Sequence, residues 1–209
     1  MKIFELNILG FTLAPTYYWL MYALWFILAY QIIIYRKKMT RAMVDDLFLY
    51  VFAWVILGGR FGYIVFYNLW QYLEQPLTIF KIWEWWMSFH GWMLGVIIAT
   101  IAFSKIKKIS FLKVIDEIAL TVPIGLWLGR IWNYLNGELL WYNWYTGPFA
   151  VNWRFPSPLL EAFLEWLVLI IILYFITKKQ KFSGQLWAIF LMWYWFFRMI
   201  VEIFFRTPD

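Results

Sequence analysis

Val122-Pro123-Ile124-Gly125-Leu126-Trp127-Leu128-Gly129-Arg130-Ile131-Trp132-Asn133-Tyr134-Leu135-Asn136-Gly137-Glu138 is an apolar run that closes on an arginine, two asparagines and a glutamate. Taken from residue 114 to 135, the run is long enough to cross about 30 Å of hydrocarbon, which takes about 20 helical residues. Nothing about spanning a bilayer requires its polar end. An arginine at the bilayer centre costs about 2.5–3.5 kcal/mol even on the lenient insertion scale, so polar clusters at such depth face a cavity or a ligand. The segment therefore points both to a membrane helix and to a site.

Similar apolar stretches occur at 17–35, 47–68, 88–104, 159–177 and 184–205. The composition agrees: 65% of the residues are hydrophobic, 14% are charged, and mean hydropathy is +0.68. A water-soluble domain could not cover its surface with so few charges. A membrane β-barrel would show alternating segments of about ten residues, and this chain does not. The first stretch is too long for a removable signal peptide and lacks a small-residue cleavage site. The expected fold is all-α: a polytopic membrane helical bundle of about six transmembrane helices. It is expected to form one domain over 1–209, with a short outward segment at 137–158.

Orientation follows from the basic residues. Arg36, Lys37, Lys38 and Arg41 follow the first span; Lys105, Lys107, Lys108 and Lys113 separate the third and fourth; Lys178, Lys179 and Lys181 separate the fifth and sixth. Those loops are expected inside. The connections 69–87 and 137–158 carry only Lys81 and Arg154 against Glu74, Glu84 and Glu138, and are rich in Trp and Tyr. They are expected outside, together with the amino terminus. The net charge of +6 is then the positive-inside bias and calls for no nucleic-acid partner.

The chain has no cysteine and one histidine. That excludes disulfides, thiolate metal sites and a multi-histidine metal centre, so no metal and no cofactor is expected. There is no nucleotide-binding glycine loop and no repeat of 20–50 residues, which leaves nucleotide-driven transport unsupported.

Four polar sets interrupt the apolar runs. Gly58-Gly59-Arg60-Phe61-Gly62-Tyr63 places a charge among glycines that permit close helix approach. Arg60 reads equally as a residue snorkelling to the interface or as part of a site. Met87-Ser88-Phe89-His90-Gly91 holds the one histidine, at the outer start of the third span. An imidazole there is either a hydrogen-bonded structural group or a proton acceptor. Arg130, Asn133 and Asn136 recur every three residues and share a face if helical. A planar, permanently charged guanidinium among amides suits a phosphate or carboxylate. The competing reading is an Arg130–Glu138 or Arg130–Glu161 ion pair that only locks helices. Tyr194, Arg198, Glu202 and Arg206 recur every four residues down the last span, and Glu161 and Glu165 make an acidic step in the fifth. Together the sets suggest a polar chamber between helices, open outward, with several cations for an anionic headgroup.

With these residues in place, the chain resembles the bacterial prolipoprotein diacylglyceryl transferases from about Tyr17 to Asp209. The resemblance rests on the Gly58–Tyr63, Met87–Gly91 and Gly129–Glu138 motifs, on Arg154-Phe155-Pro156-Ser157 with Glu161, and on Tyr194 through Arg206 ending in Thr207-Pro208-Asp209. It implies transfer of the diacylglyceryl group of phosphatidylglycerol onto the lipobox cysteine thiol of a prolipoprotein. A thioether forms and glycerol phosphate leaves. The resemblance further implies Arg130 and Arg198 as the groups that neutralise the phosphate, and His90 as the acceptor of the thiol proton. Tyr18, Arg60, Asn133, Asn136, Glu138, Glu161, Tyr194 and Glu202 are then substrate-binding positions. It places the chain in the bacterial inner membrane, with the site towards the outer leaflet and both the phospholipid and the signal peptide as partners.

The chain also departs from the family pattern. Family motifs carry glycine or another small residue where it has Trp19, Trp85, Trp86, Trp92, Trp127, Trp132, Trp141, Trp193 and Trp195. Nine exchanges of the smallest side chain for the largest, where backbones approach closely, are not ordinary drift in a packed bundle. Two readings stand. Either UGA codons read as glycine by the host were translated as tryptophan, or tryptophan is truly enriched at the interfaces. Phe155 stands where the family often has histidine, and the 137–158 segment is short, so peptide recognition is expected to differ. The family usually adds a seventh span after Arg206-Thr207-Pro208-Asp209, and six are expected here. Two alternatives to the transferase are a small transporter or channel for an anionic solute and an inactive family member. Paired broken helices or inverted repeats, which would favour transport, are not seen.

Overall fold

The computed structural model describes residues 6–8, 11–13, 17–67, 69–75, 88–138, 141–143 and 145–205. Apart from two short hairpins the described chain is helical. Strands β1 (Leu6–Ile8) and β2 (Phe11–Leu13) pair antiparallel, with Leu6 opposite Leu13. Helices α1 (Tyr17–Arg36), α2 (Arg41–Tyr67), α3 (Leu69–Glu74), α4 (Phe89–Ile106), α5 (Phe111–Ala119) and α6 (Val122–Leu135) follow. Strands β3 (Trp141–Asn143) and β4 (Arg154–Phe155) form the second hairpin, with a bulge between Trp141 and Asn143. A continuous helical stretch is then built from α7 (Ser157–Ala162), a π-helical turn (Phe163–Val168) and α8 (Leu169–Thr177), and α9 (Gln185–Phe205) ends the described chain.

Among the described residues, Arg41–Tyr67, Ser157–Thr177 and Gln185–Phe205 are long and apolar enough to cross a membrane, and Leu20–Arg36 and His90–Ile106 are shorter apolar helices. Large apolar side chains lie on their outer faces: Leu57, Phe61, Ile203 and Phe204 are each exposed. An aqueous protein would not display so many. The fold is all-α and membrane-type, as the composition requires.

The expected fourth span differs in one respect. Residues 114–135 do not make one helix but two, with the break at Leu120 and Thr121. Pro123 explains it, since a proline has no N–H to donate and is accommodated in the first turn of a helix but not in its interior. Two side chains hydrogen-bond to carbonyls at the break. Thr121 Oγ1 donates to the Ile118 carbonyl at 2.8 Å, and Trp25 Nε1 donates to the Thr121 carbonyl at 2.8 Å.

The chain divides into two compact units, one formed by Met1–Ile32 with Ile115–Asp209 and the other by Ile33–Val114. In the second unit α2 and α4 meet glycine to glycine. A Cβ placed on Gly58 would lie 2.5 Å from the Gly91 carbonyl oxygen, and one on Gly62 would lie 2.5 Å from the Gly91 Cα. Gly58 and Gly62, like Gly91 and Gly95, stand four residues apart, so both helices present a small-xxx-small stripe at one crossing. In the first unit Ala119, Leu169, Leu173, Phe190 and Phe197 form the core between α5, α8 and α9.

The amino-terminal end of α9 is held from a distance. Buried Asp116, on α5, accepts from Gly184 N at 2.6 Å, Trp187 N at 3.0 Å and Gln180 Nε2 at 2.7 Å. Gly184 and Trp187 supply two of the amides that a helix start leaves without intrahelical partners, so Asp116 acts as a capping carboxylate supplied by another helix.

Candidate active site

Arg130 leaves α6 in its second half, after the first-turn proline has set the helix direction. Its Nε lies 2.8 Å from Glu161 Oε2 and 3.4 Å from Glu165 Oε2. Glu161 turns its other oxygen to α9, where Oε1 lies 2.6 Å from Arg198 Nη1. Arg198 Nη2 reaches Glu202 Oε2 at 3.1 Å, one helical turn further on. A single carboxylate therefore joins two guanidinium groups. Glu161 and Glu165 are buried to 1% side-chain exposure, whereas Arg130 keeps 14%, Arg198 23% and Glu202 54%.

Both carboxylates make their closest approach to Arg130 at Nε, and the other two guanidinium nitrogens are its Nη atoms. Four of the five guanidinium N–H donors sit on those Nη atoms. The helix-locking pair that the sequence left open, Arg130–Glu161, is thus present.

The acidic partners share a face because of their spacing. Glu161 and Glu165 stand four residues apart at the start of the Ser157–Thr177 helix. The π-helical turn covers Phe163–Val168, with the Leu169 N–H reaching back to the Leu164 carbonyl. Such turns widen a helix locally and are frequent at functional sites. Tyr194 lies one turn before Arg198, stacks on Phe190 at 5.8 Å, and stands within electrostatic range of Arg130, Glu165 and Arg198.

Asn133 follows Arg130 on α6, and its carbonyl accepts from Glu138 N at 2.8 Å as the chain leaves the helix. Asn136 caps the carboxyl end of α6 and donates through Nδ2 to Glu138 Oε1 at 3.1 Å. Glu138 is exposed.

Two other expected residues lie in the Ile33–Val114 unit. Arg60 is 6% exposed, with its guanidinium carbon 5.4 Å from the centre of the Tyr72 ring. Beside it, Ser88 N donates to the Gly59 carbonyl at 2.9 Å and the Ser88 hydroxyl accepts from Gly91 N at 3.3 Å. His90, in the first turn of α4, is exposed and lines an open hollow of about 460 Å³ with Phe66, Tyr67, Met93 and Leu94. The Tyr18 side chain and Arg206 lie outside the described residues.

Sequence reasoning left Tyr72 and Asp116 aside and gave Glu165 no role. Glu165 alone had a signal, its four-residue step from Glu161. Of the nine tryptophans expected to stand at family glycine positions, Trp132 is buried, Trp92 is half-buried, Trp127 stacks on Trp166 at 4.6 Å, Trp193 meets Phe196 edge-on at 5.5 Å and Trp195 is exposed. Trp19, Trp85, Trp86 and Trp141 have side chains outside the described residues.

Fold and site define a polytopic α-helical membrane protein in which two partly buried arginines are joined through a fully buried carboxylate. The family model for prolipoprotein diacylglyceryl transferase matches residues 6–209. A phosphatidylglycerol–prolipoprotein diacylglyceryl transferase of Bordetella avium (strain 197N) is 42% identical over 211 residues, 94% of this chain and 79% of its own length. The like-named protein of Geobacter sulfurreducens is 42% identical over 207 residues, covering 92% and 78%. That of Pasteurella multocida (strain Pm70) is 40% identical over 219 residues, covering 99% and 79%. The chain belongs to the prolipoprotein diacylglyceryl transferase family.

Proposed function

We propose that this chain transfers the diacylglyceryl group of phosphatidylglycerol to the lipobox cysteine thiol of a prolipoprotein. The observation that carries the reading is the Arg130–Glu161–Arg198 bridge, two cations held side by side within the apolar helices of a member of this family. In the reaction the sulfur attacks the glyceryl carbon that bears the phosphate. A carbon–sulfur bond forms, the carbon–oxygen bond to phosphate breaks, and the electron pair leaves on glycerol phosphate. The phosphate carries one negative charge in the diester and gains another as it departs. Cations aimed at that oxygen therefore bind the transition state more tightly than the ground state, which is what accelerates the step.

Arg130, through its Nη atoms, and Arg198 supply those cations, and Arg60 is a further contact for the headgroup. His90 takes the thiol proton. Tyr18, Asn133, Asn136, Glu138, Tyr194 and Glu202 hold the glycerol and ester oxygens and the substrate backbone. Because the sulfur arrives on the substrate, the enzyme needs no cysteine of its own. The amino terminus and the 69–87 and 137–158 segments face outward from the inner membrane, so the signal peptide meets the lipid at the outer leaflet.

The test is direct. The protein is reconstituted with phosphatidylglycerol labelled in its acyl chains and given a lipobox peptide bearing either cysteine or serine. Label on the cysteine peptide alone is expected. Absence of label on the cysteine peptide, with folded protein, overturns the reading.

A further inference from the structure

Among the described residues of the first unit Glu165 is the most deeply buried charged group, at 0% exposure, and the proposed reaction gives it nothing to do. It comes from the π-helical turn that follows α7, and Oε2 meets the Nε of Arg130 at 3.4 Å, beside the 2.8 Å contact of Glu161. Its other oxygen has no hydrogen-bond partner among the described residues. A carboxylate kept in such a place costs free energy, so the arginine it faces must compensate it. Glu161 alone could neutralise one guanidinium, but Glu161 is also engaged with Arg198. A guanidinium is planar, so a side chain that fixes its Nε edge also fixes the direction of its Nη edge.

We propose that Glu165 is a positioning residue: with Glu161 it grips Arg130 at Nε and so aims the Nη fork at the departing phosphate. This rests on the reading of Arg130 as a phosphate ligand. Glu165 touches no substrate in this scheme and acts only through Arg130. Two consequences follow. Loss of its charge should weaken the chemical step rather than uniform substrate binding. That loss should also cease to matter once Arg130 is gone.

The experiment is a double-mutant cycle on the reconstituted full chain, with glycerol phosphate release measured against phosphatidylglycerol concentration and melting temperature followed in parallel. Glu165→Gln is expected to lower kcat on the order of ten- to a hundredfold with KM within about twofold, as misdirection of one catalytic group does. In an Arg130→Ala background the same substitution is expected to change kcat no further, because a residue acting through another loses its effect with it. A merely structural glutamate behaves otherwise, giving losses that multiply in the double variant and track the fall in melting temperature, and that result overturns the proposal. Wild-type kcat in Glu165→Gln overturns it too. Should Glu165→Gln fail to fold, the cycle is run with Glu165→Asp, which keeps the charge and shortens the arm, with the same two outcomes deciding. Wild-type release by Arg130→Ala alone contradicts the phosphate reading itself, whereas a loss there with additive behaviour at Glu165 contradicts only the positioning role.

Discussion

Glu161 is the carboxylate that Arg130 and Arg198 share. Its oxygens reach Arg130 and Arg198 separately, so removing it leaves two partly buried cations without the carboxylate they share. Glu161→Ala is expected to destabilise the protein by about 3–5 kcal/mol, the usual cost of breaking one side of a buried ion pair. A melting curve in detergent checks this, and an unchanged midpoint would show that the bridge contributes nothing to stability. The tryptophans pose the other residue-scale question. Trp153, outside the nine, has φ 62°, a left-handed conformation that glycine adopts without strain and tryptophan rarely does. The glycine reading of the nine predicts UGA codons for Trp85, Trp86, Trp132 and Trp141, which sequencing the gene reads directly. UGG codons there would keep the tryptophans.

Helices α2 and α4 approach so closely that Gly58, Gly62, Gly91 and Gly95 leave no room for a methyl group. The atoms in the way are backbone, so neither side can yield cheaply. Gly58→Ala and Gly91→Ala are each expected to cost about 1–3 kcal/mol through overpacking, and a melting midpoint equal to the parent's would refute the close crossing. Asp116 governs α9 from outside that helix. Asp116→Ala strips two backbone amides and the Gln180 side chain of their acceptor. About 1–3 kcal/mol of stability should go with it, and the amides of Gly184 and Trp187 should exchange with deuterium faster than in the parent. Apolar length alone made α1, α4 and α9 readable to within a few residues, because a bilayer imposes a length that composition reveals. The division of 114–135 was less readable. Pro123 signals a boundary, but a membrane helix can also absorb a proline as a kink. The π turn left no mark, since Phe163–Val168 is as apolar as any α-helical stretch apart from Glu165.

For the whole molecule, the distribution of lysine and arginine predicts which loops meet which side of the membrane. With no cysteine in the chain, one introduced at Thr146 or Lys181 is a unique label site. An impermeant maleimide added outside intact cells should modify Thr146→Cys and leave Lys181→Cys untouched until the membrane is opened. The reverse pattern would invert the topology. The site was legible in part for the same reason that the fold was. Arg130, Glu161, Arg198 and Glu202 stand out because charge is conspicuous in an apolar chain, and even the Arg130–Glu161 contact was foreseen as one of two pairings. Which carboxylate met which nitrogen was not, since partners 31 to 37 residues apart are set by packing between helices rather than by local periodicity.

In the proposed reaction Arg130 and Arg198 hold the phosphate while the thiol displaces it, and the single-turnover rate of diacylglyceryl transfer to a lipobox peptide tests this most directly. Arg130→Ala and Arg198→Ala are each predicted to slow that step by on the order of 10²–10³, as loss of one preorganised donor does, in protein that still folds. A rate equal to the parent's in folded Arg130→Ala would contradict it.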